Sequence, residues 1–238
     1  MNKIFIVALS LVIGSSILTA SAAEEVEIRA SGVLYAPSGA AATGSEESGL
    51  DDVEWDSGQG LELQGIYWVD KSQWGIGATI GTASWDIKDY ADVKYNPTVQ
   101  INQVNVLEGD ADLLIFGISA FRKLTNNDPG TSKFNADAEL GLRYISVDSG
   151  IEGGYGEEYS DALLVALQTL EIDDSIVGVI GLTGDYAIDN NLSIFANASI
   201  QIDLDKGSVD NVLSIGTFEA GEVEFMSLYG KAGISYVF

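Results

Sequence analysis

Along most of this chain apolar and polar residues alternate with a period of two, and apolar positions at helical spacing are hard to find. The clearest run is Phe134 to Tyr144. Phe134, Ala136, Ala138, Leu140, Leu142 and Tyr144 share one face, and Asn135, Asp137, Glu139, Gly141 and Arg143 share the other. Leu192 to Asp203 repeats the pattern, as does the stretch from Met226 to Phe238. Runs of about 11 residues match a tilted crossing of a bilayer, whereas ordinary soluble strands average about five or six. The pattern predicts eight strands, at about 26–35, 59–69, 74–85, 110–123, 132–147, 175–187, 192–203 and 223–238. The fourth and sixth alternate least well.

The connections between these strands differ in length. Links near 70–73, 125–131 and 189–191 are short and rich in turn formers. Links at 36–58, 86–109, 148–174 and 204–222 are long. Short turns on one side and long loops on the other suit an antiparallel up-and-down barrel crossing an outer membrane, with the short turns periplasmic. Tyr67, Trp74, Phe134, Tyr186 and Phe238 sit near the short-turn edge with outward parity, where an aromatic girdle is expected. Ala162 to Leu170 is apolar for a loop. It reads as a strand extension or a separate strand, and with Val99 to Val106 it offers a ten-stranded alternative.

Composition narrows the chemistry. The formal charge is −25, which repels nucleic acid. Acidic residues crowd the long links: Glu46, Glu47, Asp51, Asp52, Glu54 and Asp56 in the first, and Asp148, Glu152, Glu157, Glu158, Asp161, Glu171, Asp173 and Asp174 in the third. There is no cysteine, so no disulfide framework, and no histidine, which removes the commonest general base and metal ligand. The expectation is no enzyme, no cofactor and no metal. Asp203 and Asp205, like Asp51 and Asp52, offer hard oxygen ligands for calcium or magnesium, but without the spacing of a known loop motif. By parity Arg29, Glu62, Gln64, Asp137, Glu139, Arg143 and Lys231 face the lumen. They read as a salt-bridge network filling a narrow barrel, or else as the lining of a solute path.

Lys3, the apolar run Ile4 to Ile13 and Ala20-Ser21-Ala22 read as a signal peptide cleaved after Ala22, leaving residues 23–238 as the barrel. At the other end, residues 231–238 resemble the β-signal of bacterial outer-membrane proteins, matched by Lys231, Gly233, Tyr236 and Phe238. That resemblance implies the barrel-assembly machinery as a transient partner. Together with Glu139-Leu-Gly-Leu-Arg-Tyr and the hairpin pattern from Gly184 to Ala196, the chain resembles the small outer-membrane β-barrel superfamily, which includes the OmpA membrane domain and the OmpX, OmpW and opacity-type barrels. The resemblance implies a monomer in outer-membrane lipid and lipopolysaccharide. The enzymes of this fold class rely on an active-site histidine, which this chain lacks. The leading functional reading is a structural or surface-interaction role carried by the acidic loops. A small porin-like channel and a soluble periplasmic β-protein are the alternatives.

Overall fold

The computed structural model describes residues 25–44, 51–69, 73–88, 90–96, 101–125, 133–159, 162–213 and 216–238. The signal-peptide reading, Glu46, Glu47 and Asp161 lie outside these residues. Eight long strands carry the period-two pattern: β1 (Glu25–Pro37), β3 (Val53–Trp68), β4 (Trp74–Ile87), β7 (Asp110–Lys123), β8 (Phe134–Ser149), β11 (Ser175–Ala187), β12 (Leu192–Asp205) and β15 (Ser227–Val237). Each pairs antiparallel with its neighbours, and β1 pairs with both β15 and β3, so the sheet closes into a barrel. The ten-stranded alternative is not what forms.

The ladder register fixes the barrel's shape. From Val26 the cross-strand partners run through Tyr67, Ile76, Ala120, Leu140, Ile180, Ile200 and Leu228, and return to β1 at Ala36, ten residues further on. A stagger this large on eight strands demands strongly tilted strands, about 35–45° from the axis. Every residue on that path points outward. Leu140, 64 % exposed, is typical of a belt that also contains Leu34, Leu61, Ile76, Ile118, Ile180 and Leu228. A contiguous apolar surface of this extent is costly in water and suited to hydrocarbon. Among the described residues no helix is long and apolar enough to cross a membrane.

The long links are not loops. Three of them form hairpins: β5 (Tyr90–Asn96) with β6 (Ile101–Glu108), β9 (Glu152–Tyr159) with β10 (Ala162–Ile172), and β13 (Ser208–Leu213) with β14 (Gly216–Glu222). The hairpins pair with one another in the order β14-β13-β10-β9-β6-β5, a second six-stranded sheet above the barrel. The apolar stretch at 162–170 belongs to β10 there. The first link is shorter and, among the described residues, contributes β2 (Ala40–Ala42), laid along the start of β3. Between barrel and sheet the wall kinks at Gly109, whose φ of 125° disfavours any side chain and whose Cβ position would meet the Gly150 carbonyl at 2.5 Å. One contiguous apolar cluster joins the two sheets. Val33, Val53, Ile115 and Val179 of the barrel strands, Ala41 and Ala42 of the first link, and Leu107, Leu170 and Val209 of the second sheet all belong to it.

At the opposite end the short link 188–191 joins β11 to β12. At the β11–β12 link, Asp189 Oδ1 accepts the backbone N–H groups of Asn191 and Leu192, both at 2.8 Å. These donors hold its carboxyl below the usual carboxylate range.

Candidate functional site

The interior of the barrel gathers the polar faces of its strands into two charged clusters. The first lies toward the short turns. Arg29 Nε is 2.7 Å from Glu27 Oε1, and its Nη2 is 2.6 Å from Asp137 Oδ2. Trp68 Nε1 donates to the other oxygen of Glu27 at 2.9 Å, and Ser235 Oγ donates to Glu27 Oε1 at 2.8 Å. The guanidinium lies over the rings of Phe121 and Phe195, with centroid distances of 5.9 and 5.6 Å. Six strands therefore meet around one buried arginine: β1, β3, β7, β8, β12 and β15. The geometry follows from parity: the members sit at inward positions, and their outward neighbours are apolar apart from Arg122 beside Phe121.

The second cluster lies one layer higher. Glu62 is shared by Arg143, whose Nη1 is 2.8 Å from its Oε2, and by Lys231, whose Nζ donates to its Oε1 at 2.7 Å. Glu139 lies 3.6 Å from the same lysine and accepts hydrogen bonds from Gln64 and Ser119 at 3.2 and 2.8 Å. Arg143 is 1 % exposed. Charges this deep persist only when paired and hydrogen-bonded. Lys231 comes from the last barrel strand and Glu62 from β3, so their contact reaches across β1 and ties the seam where first and last strands meet.

Above the charged layers the interior turns apolar and aromatic. Tyr35 lies 5.2 Å from both Trp85 and Tyr229. Trp55 meets Trp85 edge-on at 5.5 Å and stacks on Phe225 at 5.8 Å. Phe225 belongs to no strand. The segment 223–226 runs along the wall between β14 and β15, where Glu224 N donates to the Ala40 carbonyl and Ser38 N donates to the Met226 carbonyl, both at 2.8 Å. Gln201 Nε2 donates to the Phe225 carbonyl at 2.7 Å, its N–H is accepted by Asp203 Oδ1 at 2.9 Å, and Trp55 Nε1 donates to the Glu224 carbonyl at 3.0 Å. Gly58 makes room for this layer, since a Cβ there would lie 2.4 Å from the Trp85 ring.

All seven residues read as lumenal from parity, Arg29, Glu62, Gln64, Asp137, Glu139, Arg143 and Lys231, are buried in the interior and fall into the two clusters. Sequence reasoning did not single out Glu27, Trp68 and Ser235, although Glu27 shares the parity of Arg29. Nor did it find the aromatic layer. In the aromatic set near the short turns, Trp74, Phe134, Tyr186 and Phe238 are exposed on the outer wall and Tyr67 is partly so. In the C-terminal pattern Lys231 is buried on Glu62, while Tyr236 and Phe238 lie outside with ring centroids 4.8 Å apart. Gly233 sits at the tight seam, where a Cβ would meet the Ala30 carbonyl at 1.9 Å. Asp203 is engaged by the Phe225 backbone, and among the described residues no group of three ligating side chains converges on a metal position. At the short-turn end a polar vestibule of about 510 Å³ opens between Lys133, Asp185 and Asn191 and narrows onto Arg29, Glu27 and Asp137.

This architecture has solved counterparts. The crystal structure of the outer membrane protein OprG from Pseudomonas aeruginosa superposes with a TM-score of 0.62 over 91 % of this chain and 96 % of that one, at 14 % identity. The chain has the fold of the small outer-membrane β-barrels. The solid-state NMR structure of the outer membrane protein AlkL in DMPC lipid bilayers gives a TM-score of 0.51 over 92 % of this chain and 94 % of that one, at 12 % identity. No protein-family model matches the chain, and no curated protein sequence matches it. Barrels of this fold host many roles, so the function has to be argued from the interior and the surface.

Proposed function

We propose that this protein is an outer-membrane barrel with a closed interior, serving as an anchored platform that holds an acidic β-sheet at the cell surface. One observation carries the reading: two layers of paired, buried charges and a third layer of aromatic rings occupy the same interior in series. An eight-stranded barrel is just wide enough for side chains to fill, so stacked layers leave no continuous aqueous path. The outward apolar belt, the aromatic residues at the short-turn edge and the fold shared with OprG and AlkL support placement in an outer membrane. On this reading the barrel is monomeric and sits in outer-membrane lipid and lipopolysaccharide. Its C-terminal pattern from Lys231 to Phe238 addresses it to the barrel-assembly machinery.

Planar-bilayer recording of the purified protein tests the closed interior. The expected trace is flat at applied potentials, and reproducible ion-selective steps overturn it. The runner-up, a narrow channel, takes its support from the vestibule at the short-turn end, and the same recording decides between them. The lipid-facing assignment has its own test. Leu140→Arg places a charge in the outward belt and is expected to destabilise the folded barrel by about 2–4 kcal/mol in vesicles, with Leu140→Ser milder. Equal tolerance of arginine at 140 and of serine would argue for a wall facing water.

A further inference from the structure

The outer wall carries two apolar zones separated by carboxylates. Moving up β7 from the lipid-facing belt, the outward residues are Asp112 and Asp110, followed on β6 by Glu108 and then Val106. Asp112 pairs across the ladder with Asp148, Asp110 with Asp86, and Glu108 with Glu152. Like charges directly opposite each other destabilise a sheet, so three such pairs mark a boundary that stays in water.

Above this boundary the outer face of the second sheet becomes apolar again. Ala91, Val106, Gly154 and Leu167 lie in one register row across β5, β6, β9 and β10. Val106 is 43 % exposed and Leu167 is 78 % exposed. The inner face of the same sheet is already buried against the barrel core through Leu107 and Leu170, so this row is not the sheet's own core. An apolar row raised into water above a carboxylate belt marks an interaction site.

We infer that this outer face docks a cationic polypeptide segment whose apolar side chains cover the Val106–Leu167 row while its lysines or arginines meet Glu108 and Glu152. The inference rests on the proposed placement of the second sheet in water outside the membrane. Charge decides between candidate occupants. A second copy of this chain would bring its own carboxylates against these, at −25 net charge per chain, so like charges oppose self-docking. A segment of alternating basic and apolar residues matches both the spacing of the rows and their sign.

The test uses the full chain in nanodiscs and a short synthetic peptide alternating lysine with leucine. Lysine–serine and glutamate–leucine peptides of equal length serve as controls. The lysine–leucine peptide is expected to bind about tenfold tighter than either control. Val106→Ser with Leu167→Ser is expected to reduce its affinity to that of the lysine–serine peptide, with unchanged heat-modifiable migration showing a folded barrel. Glu108→Gln with Glu152→Gln is expected to weaken binding and to flatten its decline with salt. Unchanged affinity in the serine variant would reduce the interaction to general acidity and overturn the proposal. So would equal binding of the glutamate–leucine peptide, or a dimer in analytical ultracentrifugation that disappears in the serine variant. The outcome is independent of the conductance recording. A conducting barrel that still binds the peptide overturns the closed interior alone, and a silent barrel that ignores the peptide overturns only the docking surface.

Discussion

Replacing Glu62 with glutamine is expected to lower the stability of the folded barrel by about 3–5 kcal/mol. The change is nearly isosteric, so packing is conserved and charge is what is lost. Arg143 and Lys231 then keep Glu139 as the one remaining carboxylate paired with them among the described residues, at 4.0 and 3.6 Å. Removing one partner of a buried ion pair is costly because the other charge stays behind, away from water. Glu62→Gln combined with Lys231→Met removes charge from both sides and is expected to recover at least half of the loss. Urea unfolding in vesicles, followed by the fluorescence of the four tryptophans, measures both. A loss below about 1 kcal/mol for the single variant would mean that water reaches this layer and screens it. That outcome would weaken the closed-interior reading before any current is recorded.

The expectation can be this specific because the charged layers were legible in the sequence. On β8, and on β12 apart from the inward Phe195, one face is apolar and the other polar along the crossing, so parity alone separates the lipid side from the interior. It failed where the interior itself is apolar. On β7, Leu113 and Ile115 face inward beside the outward-parity Leu114 and Phe116. On β11, Val177 and Val179 face inward between Ile176 and Ile180. Both faces are then apolar and the alternation vanishes, which is why these two strands read poorly. The same ambiguity hid the aromatic layer, since an inward Tyr35 or Trp85 looks like any other apolar residue.

The second sheet was hidden for a different reason. Its β9 strand is glycine-rich and acidic, a composition that ordinarily marks loops, and the strand-like stretches at 99–106 and 162–170 read as barrel strands or extensions instead. The sheet's strands exist because three hairpins pair side by side and bury one face against the barrel core. That stabilisation is tertiary and leaves little local trace. The segment 223–226 was expected as the start of the last strand. It keeps the alternation, with Val223 and Phe225 fully buried and Met226 exposed, but the side chains of Gln201, Asp203 and Trp55 take up backbone groups of Phe225 and Glu224 that a ladder partner would otherwise hold.

Phe225→Ala is expected to cost about 3–5 kcal/mol, the range for removing a buried phenyl ring that its surroundings cannot refill. Trp55 and Trp85 both lose their contact with the ring, at 5.8 and 5.3 Å, so the near-ultraviolet dichroism of the tryptophans is expected to fall with the stability. The conductance is expected to stay at zero. The cavity opens above the Glu62–Arg143–Lys231 layer, and that layer is tied to the wall by its own ion pairs and not by the ring. Loss of stability without gain of current therefore separates two jobs within one interior: the rings hold the barrel mouth to the second sheet, and the charges close the lumen. Current through Phe225→Ala would assign the seal to the ring cluster alone and leave the charged layers as a lining that ions can cross.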